Sequence, residues 1–111
     1  MSASPRTITI GLLGCGVVGT GTLRTLQANG EAIERLLGAR IVVKRVCVRN
    51  PDKPREVNLD RGLLTTDPFE VVDDPEIQVV AELMGGTETA AECIRRALRA
   101  GKHVVTANKE L

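Results

Sequence analysis

Residues 7–21, TITIGLLGCGVVGTG, decide how the chain folds. The first half alternates and then runs apolar with β-branched residues, which is how a strand buried on both faces of a parallel sheet reads. A first strand is therefore placed at residues 6–13. The second half spaces Gly14, Gly16 and Gly19 as G-x-G-x-x-G. In that pattern the first glycine permits a tight turn, the second lets backbone approach a pyrophosphate, and the third lets the next helix pack close to the strand. Val17, Val18, Leu23, Leu26, Ile33, Leu36 and Leu37 then recur at helical spacing, with Asn29-Gly30 a candidate break and Gly38 a stop. A helix that starts there offers free N–H groups and a positive dipole end to phosphates. Glycine-rich turns are common, but a strand before this one and a helix after it are what dinucleotide binding requires. Gly14, Cys15, Gly16, Val17, Val18 and Gly19 are the resulting cofactor-binding candidates.

Working outward, residues 39–49, ARIVVKRVCVR, form a second strand that ends in Arg49-Asn50, with Lys53 and Arg55 close behind. An acidic residue at such a strand end binds the ribose 2′-hydroxyl of NAD, whereas an arginine accommodates the 2′-phosphate of NADP. Arg49 therefore points to NADP, with NAD as the alternative. The missing acid also counts against a methyltransferase using S-adenosylmethionine. Residues 57–75 carry no decisive pattern beyond a single helical turn after Asp67-Pro68, where aspartate would cap and proline would take the first helical position. Residues 78–86, QVVAELMGG, read as a third strand, with Glu82 a paired polar group. Gly85, Gly86 and Thr87 follow as small residues against which a flat ring or ribose can lie. Thr87 or Thr89 caps the next helix, Ala90, Ile94, Ala97 and Leu98 form its apolar face, and Gly101 ends it. HVVT, residues 103–106, is a fourth strand, and Lys109 sits just beyond it at the start of a further helix.

Strands alternating with helices imply an α/β, Rossmann-like, doubly wound and mostly parallel sheet, because parallel neighbours need crossover connections. Ligands in such sheets bind at the carboxyl ends of the strands, where the glycine turn, Arg49, Gly85 and Lys109 all fall. A lysine there, beside a nicotinamide, has the chemistry to stabilise a developing alkoxide during hydride transfer. His103, at the opposite end of its strand, is structural in this reading.

The bulk properties narrow the partners. Fifteen Lys and Arg against fourteen Asp and Glu leave a net charge of +1, so there is no basic field for nucleic acid. One aromatic residue, Phe69, excludes aromatic stacking as a binding strategy. A small molecule is the expected partner. The cysteines, Cys15, Cys47 and Cys93, have neither disulfide nor zinc spacing and read as reduced residues of a cytoplasmic protein. No signal peptide is recognisable, and no apolar run reaches the roughly 20 residues of a membrane span.

Three stretches together, GLLGCGVVGTG at 11–21, ELMGGTETA at 82–90 and GKHVVTANKEL at 101–111, resemble the amino-terminal nucleotide-binding part of homoserine dehydrogenases. The resemblance covers the chain from about Thr7 onward. It implies NAD(P)H-dependent interconversion of L-aspartate 4-semialdehyde and L-homoserine, on the route to threonine, methionine and isoleucine. It also implies that Lys109 lies near the nicotinamide as a binding and catalytic residue, and that Arg49 meets the 2′-phosphate. Asn50, where many members have aspartate, leans further toward NADP, and Thr89 replaces a frequent proline. Members continue into a substrate and dimerisation domain with a second catalytic lysine, an aspartate and a monovalent-cation site. Residues 1–111 are accordingly expected to be an incomplete NAD(P)-binding domain, inactive by itself, from a parent that is a homo-oligomer. The alternatives are another amino-acid or semialdehyde dehydrogenase of similar layout, such as an aspartate dehydrogenase or dihydrodipicolinate reductase relative, and a non-catalytic NAD(P)-binding module.

Overall fold

The computed structural model describes residues 6–55, 59–84 and 88–107. Along the chain these form β1 (Arg6–Leu13), α1 (Val17–Leu37), β2 (Ala39–Cys47), a 3-10 turn (Arg61–Leu63), β3 (Leu64–Thr65), α2 (Phe69–Val72), β4 (Val79–Glu82), α3 (Glu88–Arg99) and β5 (His103–Thr106). The sheet has five strands in the order β3-β2-β1-β4-β5, and every pairing is parallel.

This is the doubly wound sheet the alternating pattern implied, with one strand more than the four expected. The extra one, β3, is two residues long and pairs Leu64 and Thr65 with Val46 and Cys47. Strand ends are also shorter than expected: β2 stops at Cys47 and β4 spans Val79–Glu82. The trimmed residues, Val48 and Arg49 on one side and Leu83 and Met84 on the other, lead into loops at the carboxyl edge.

Side chains leave a strand alternately to its two faces. Leu13, Cys47 and Val80 accordingly join Val71, Val72, Ile77, Cys93 and Ala97 in a buried cluster on the side of α2 and α3. Their neighbours Leu12 and Val46 pack with Leu23 and Val48 on the side of α1. Burial pushes the Cys47 thiol up to about 11 and the Cys93 thiol up as well, so both stay protonated, consistent with inert core residues.

The break and stop signals of α1 hold, Pro68 stands one place before α2 and not inside it, and Thr89 lies within α3 and does not cap it, while Thr87 lies outside the described residues. α1 departs from helical geometry at Asn29 (φ −121°, ψ 18°) and closes at a left-handed Gly38, whose N–H reaches Glu34 O at 2.8 Å. Asp67 Oδ1 accepts from the Phe69 amide at 2.9 Å as the turn of α2 begins. In α3 the buried residues are Ala90, Cys93 and Ala97, while Leu98 is 57% exposed. The expected face of Ala90, Ile94, Ala97 and Leu98 is thus corrected by part of a turn. The small side chains lie against the sheet, and the larger Leu98 turns outward.

Candidate functional site

At the carboxyl edge of the sheet a cleft of about 1060 Å³ opens between β1, β2 and β4. Its floor is the turn between β1 and α1. Gly14 adopts φ +103°, a conformation L side chains rarely take, and a Cβ there would lie 3.1 Å from the Leu83 carbonyl. Its N–H bonds Cys47 O at 2.8 Å, which pins the turn to β2. A Cβ on Gly19 would lie 2.9 Å from Gly14 O, so only glycine lets α1 start this close to the strand. Gly16 differs: a Cβ on it would meet nothing within 4 Å, and it faces the open cleft.

Gly16 is also the residue before α1, and it caps the helix with no side-chain hydrogen bond. The first turn bonds Thr20 N–H to Gly16 O at 2.9 Å. In a helix that starts this way the amides of Val17, Val18 and Gly19 have no intrahelical acceptor. They lie at the positive end of the helix dipole, with Val17 93% exposed. Space without a side chain and donors without an acceptor are what a pyrophosphate needs, so this corner fits a dinucleotide.

The second wall follows β2. Arg49, Asn50, Lys53 and Arg55 line the cleft. Arg55 folds the loop around itself, donating to Asn50 O and Lys53 O at 2.8 Å each. Asn50 Oδ1 in turn accepts from the Asp52 amide at 3.0 Å, and the Asp52 carboxylate is drawn off by an ion pair with Arg61. The acid nearest Arg49 in sequence is therefore occupied, and the wall presents cations.

Leu83 and Met84, Glu88 and Thr89 close the third side, from the end of β4 and the start of α3. Two features here escaped sequence reasoning. Leu83 and Met84 lie beyond β4, not in the strand their apolar run implies, and lead into the loop that the glycine pair marks. Glu82 is paired, as its place in the strand implies, but its complete burial is not visible in the sequence. Gly85, Gly86, Thr87 and Lys109 lie outside the described residues, as does Asn108. Cys15 lines the cleft with Gly14 and Gly16, its sulfur 3.7 Å from the Thr20 hydroxyl. His103 begins β5 opposite Val79, at the sheet edge away from the cleft. Among the described residues, no helix is long and apolar enough to cross a membrane.

A glycine-rich turn feeding a helix with no side-chain cap, placed where the strand order β3-β2-β1-β4-β5 of a parallel sheet reverses, defines a Rossmann-type dinucleotide-binding domain. Comparison with known proteins sharpens this. The family described as "Homoserine dehydrogenase, NAD binding domain" matches residues 14–111. The homoserine dehydrogenase of Synechocystis is 52% identical over 93% of this chain, and that of Bacillus subtilis is 42% identical over 96%. Among solved structures, the homoserine dehydrogenase of Thiobacillus denitrificans superposes with a TM-score of 0.86 at 55% identity over 96% of this chain. That of S. aureus, at pH 8.5, gives 0.91 at 37% identity over 97%. The chain belongs to the homoserine dehydrogenase NAD-binding domain family, and its cofactor is a nicotinamide dinucleotide. It spans about a quarter of the length of these relatives, 23 and 24% of the two sequences and 24 and 27% of the two structures.

Proposed function

We propose that this chain supplies the nucleotide-binding portion of a homoserine dehydrogenase that interconverts L-aspartate 4-semialdehyde and L-homoserine, with NADP as the preferred cofactor. The observation that carries the reading is the glycine corner: Gly14 and Gly19 are forced by backbone geometry, whereas Gly16 is demanded by nothing in the chain itself. Gly16 lines the cleft with open space where a side chain would stand, beside the first amides of α1, and that is the space a pyrophosphate needs. In this reading the amides of Val17 and Val18 hold the pyrophosphate. Arg49 receives the 2′-phosphate, and Lys53 and Arg55 add positive charge to that wall. Gly85, Gly86 and Thr87 border the ribose and nicotinamide.

The nicotinamide, when bound, supplies the hydride. Lys109 donates a hydrogen bond to the aldehyde oxygen and stabilises the negative charge that grows there as the carbonyl is reduced. The sugar phosphates and nicotinamide are held by this domain. The substrate's amino and carboxylate groups would be held by a further domain of the parent, through which the parent would form a homo-oligomer. Catalysis is cytoplasmic, with three thiols kept reduced.

The test is NADPH oxidation with L-aspartate 4-semialdehyde, by the 111-residue chain and by a protein joining it to a homoserine dehydrogenase substrate domain. Turnover is expected from the second and none above background from the first. Turnover by the 111-residue chain alone, or none by the joined protein although it binds NADPH, would overturn the assignment. Tight NADPH binding with no turnover in either would favour the non-catalytic module.

A further inference from the structure

We infer that Glu82 is a positioning residue whose buried carboxylate ties Met84, on the cleft wall after β4, to Thr106 at the end of β5. Glu82 ends β4 and has no solvent exposure. Alternation puts it on the same face as Val80, in register with Thr106 of β5. A carboxylate in such a place is costly unless its oxygens are satisfied. Both are: Oε2 accepts from the Met84 amide at 2.8 Å, and Oε1 accepts from the Thr106 hydroxyl at 3.0 Å. The backbone of the same residue adds a third tie, from the Ala107 amide to Glu82 O at 3.1 Å.

Packing alone gives no reason for this choice. Beside Val80 and the protonated Cys93 thiol, a leucine would occupy the site without any desolvation cost. What a leucine lacks is two acceptors, and the donors they engage are informative. Met84 directly precedes Gly85, and Thr106 lies three residues before Lys109. Met84 is also seated against the glycine turn, since a Cβ on Gly14 would lie 3.2 Å from Met84 Cα. One side chain couples the β4 loop to the β5 end, and its removal releases both.

The clamp itself stands on the geometry, while its effect on turnover rests on the dehydrogenase reading above. The experiment uses the protein joined to a substrate domain, with Glu82→Leu, Glu82→Gln, Thr106→Val and Thr106→Ser. Glutamine can still accept from Met84 and reverse the bond to Thr106, whereas leucine can do neither. Amide hydrogen exchange should quicken together in residues 83–84 and 105–107 of Glu82→Leu, by about tenfold or more, with α1 unchanged. In the same variant kcat should fall about 30-fold or more, with KM for NADPH within about threefold, because the phosphate corner is left in place. Thr106→Val should show a smaller version of both effects, and Glu82→Gln and Thr106→Ser should stay near the parent. The inference is overturned if only one segment loosens, if the whole domain loosens equally, or if kcat is unchanged. Should Glu82→Leu not fold, the Thr106 pair decides by the same readings. If the parent protein turns over no aspartate semialdehyde, the dehydrogenase reading fails, while exchange still decides the clamp.

Discussion

The two near walls of the cleft do opposite things with side chains. The corner between β1 and α1 works by leaving them out at three positions: Gly14 and Gly19 let backbone pass within 3.1 and 2.9 Å of where a Cβ would stand, and Gly16 leaves open space. The wall after β2 works by having charged ones, with Arg49, Lys53 and Arg55 along the same cleft. In the proposed reading the first answers to what every dinucleotide shares, a pyrophosphate that must approach backbone amides. In the same reading the second answers to what distinguishes one dinucleotide from another, the 2′-phosphate. A steric requirement has no partial fulfilment, whereas an electrostatic one is graded and screened by salt. Perturbing the two walls should therefore differ in size and in kind.

The largest effect belongs to Gly14→Val. The substitution forces a branched residue to φ +103° and drives its Cβ against the Leu83 carbonyl, where backbone has nowhere to yield. Strained dihedrals of this sort cost about 1–3 kcal/mol before any clash is added. NADPH binding should weaken by roughly 100-fold or more, with a clear fall in Tm. Calorimetric titration and thermal unfolding check both, and normal affinity in this variant would mean that the turn is not the pyrophosphate site.

Gly16→Ala sharpens the contrast. Nothing in the chain lies within 4 Å of the added methyl, so the fold should lose at most about 0.5 kcal/mol. The methyl instead takes space intended for the ligand and should weaken NADPH binding about 10- to 100-fold. A change in Tm as large as that of Gly14→Val, without loss of affinity, would show that Gly16 serves the turn and not the ligand.

The contrast also explains which parts of the molecule sequence reveals. β1, α1 and the glycine turn were legible because their signals are local: periodicity, spacing and a left-handed requirement all act within a few residues. β3 was not, because a two-residue strand is defined by its pairing with Val46 and Cys47 and not by its own composition. The face of α3 was misjudged by part of a turn. Ile94 and Leu98 look like core by hydropathy, yet the sheet is approached by Ala90, Cys93 and Ala97, whose size decides how closely the helix packs. Glu82 was equally opaque, since its partner Thr106 lies 24 residues away and only the fold brings them together. Arg49 sits between these cases. Its place at a strand end was readable, but the diversion of Asp52 to Arg61, which leaves the wall cationic, depends on how the loop folds.

That wall yields the smallest of the expected effects and the most diagnostic. Arg49 is exposed, so replacing it by alanine should leave Tm unchanged. An exposed guanidinium facing a 2′-phosphate acts through a charge-assisted, solvent-screened contact, for which about tenfold in affinity is reasonable. The loss should fall on NADPH and spare NADH, because NADH has no phosphate at that position. It should also shrink as salt rises, since screening weakens the parent's contact while the variant has none to lose. Lys53 and Arg55 remain in the variant, so the preference should narrow without inverting. Affinities for the two cofactors at low and high salt separate these outcomes. An equal loss of NADH and NADPH would place Arg49 at the shared part of the cofactor, and no loss of either would leave the cationic wall without a role in choosing between them.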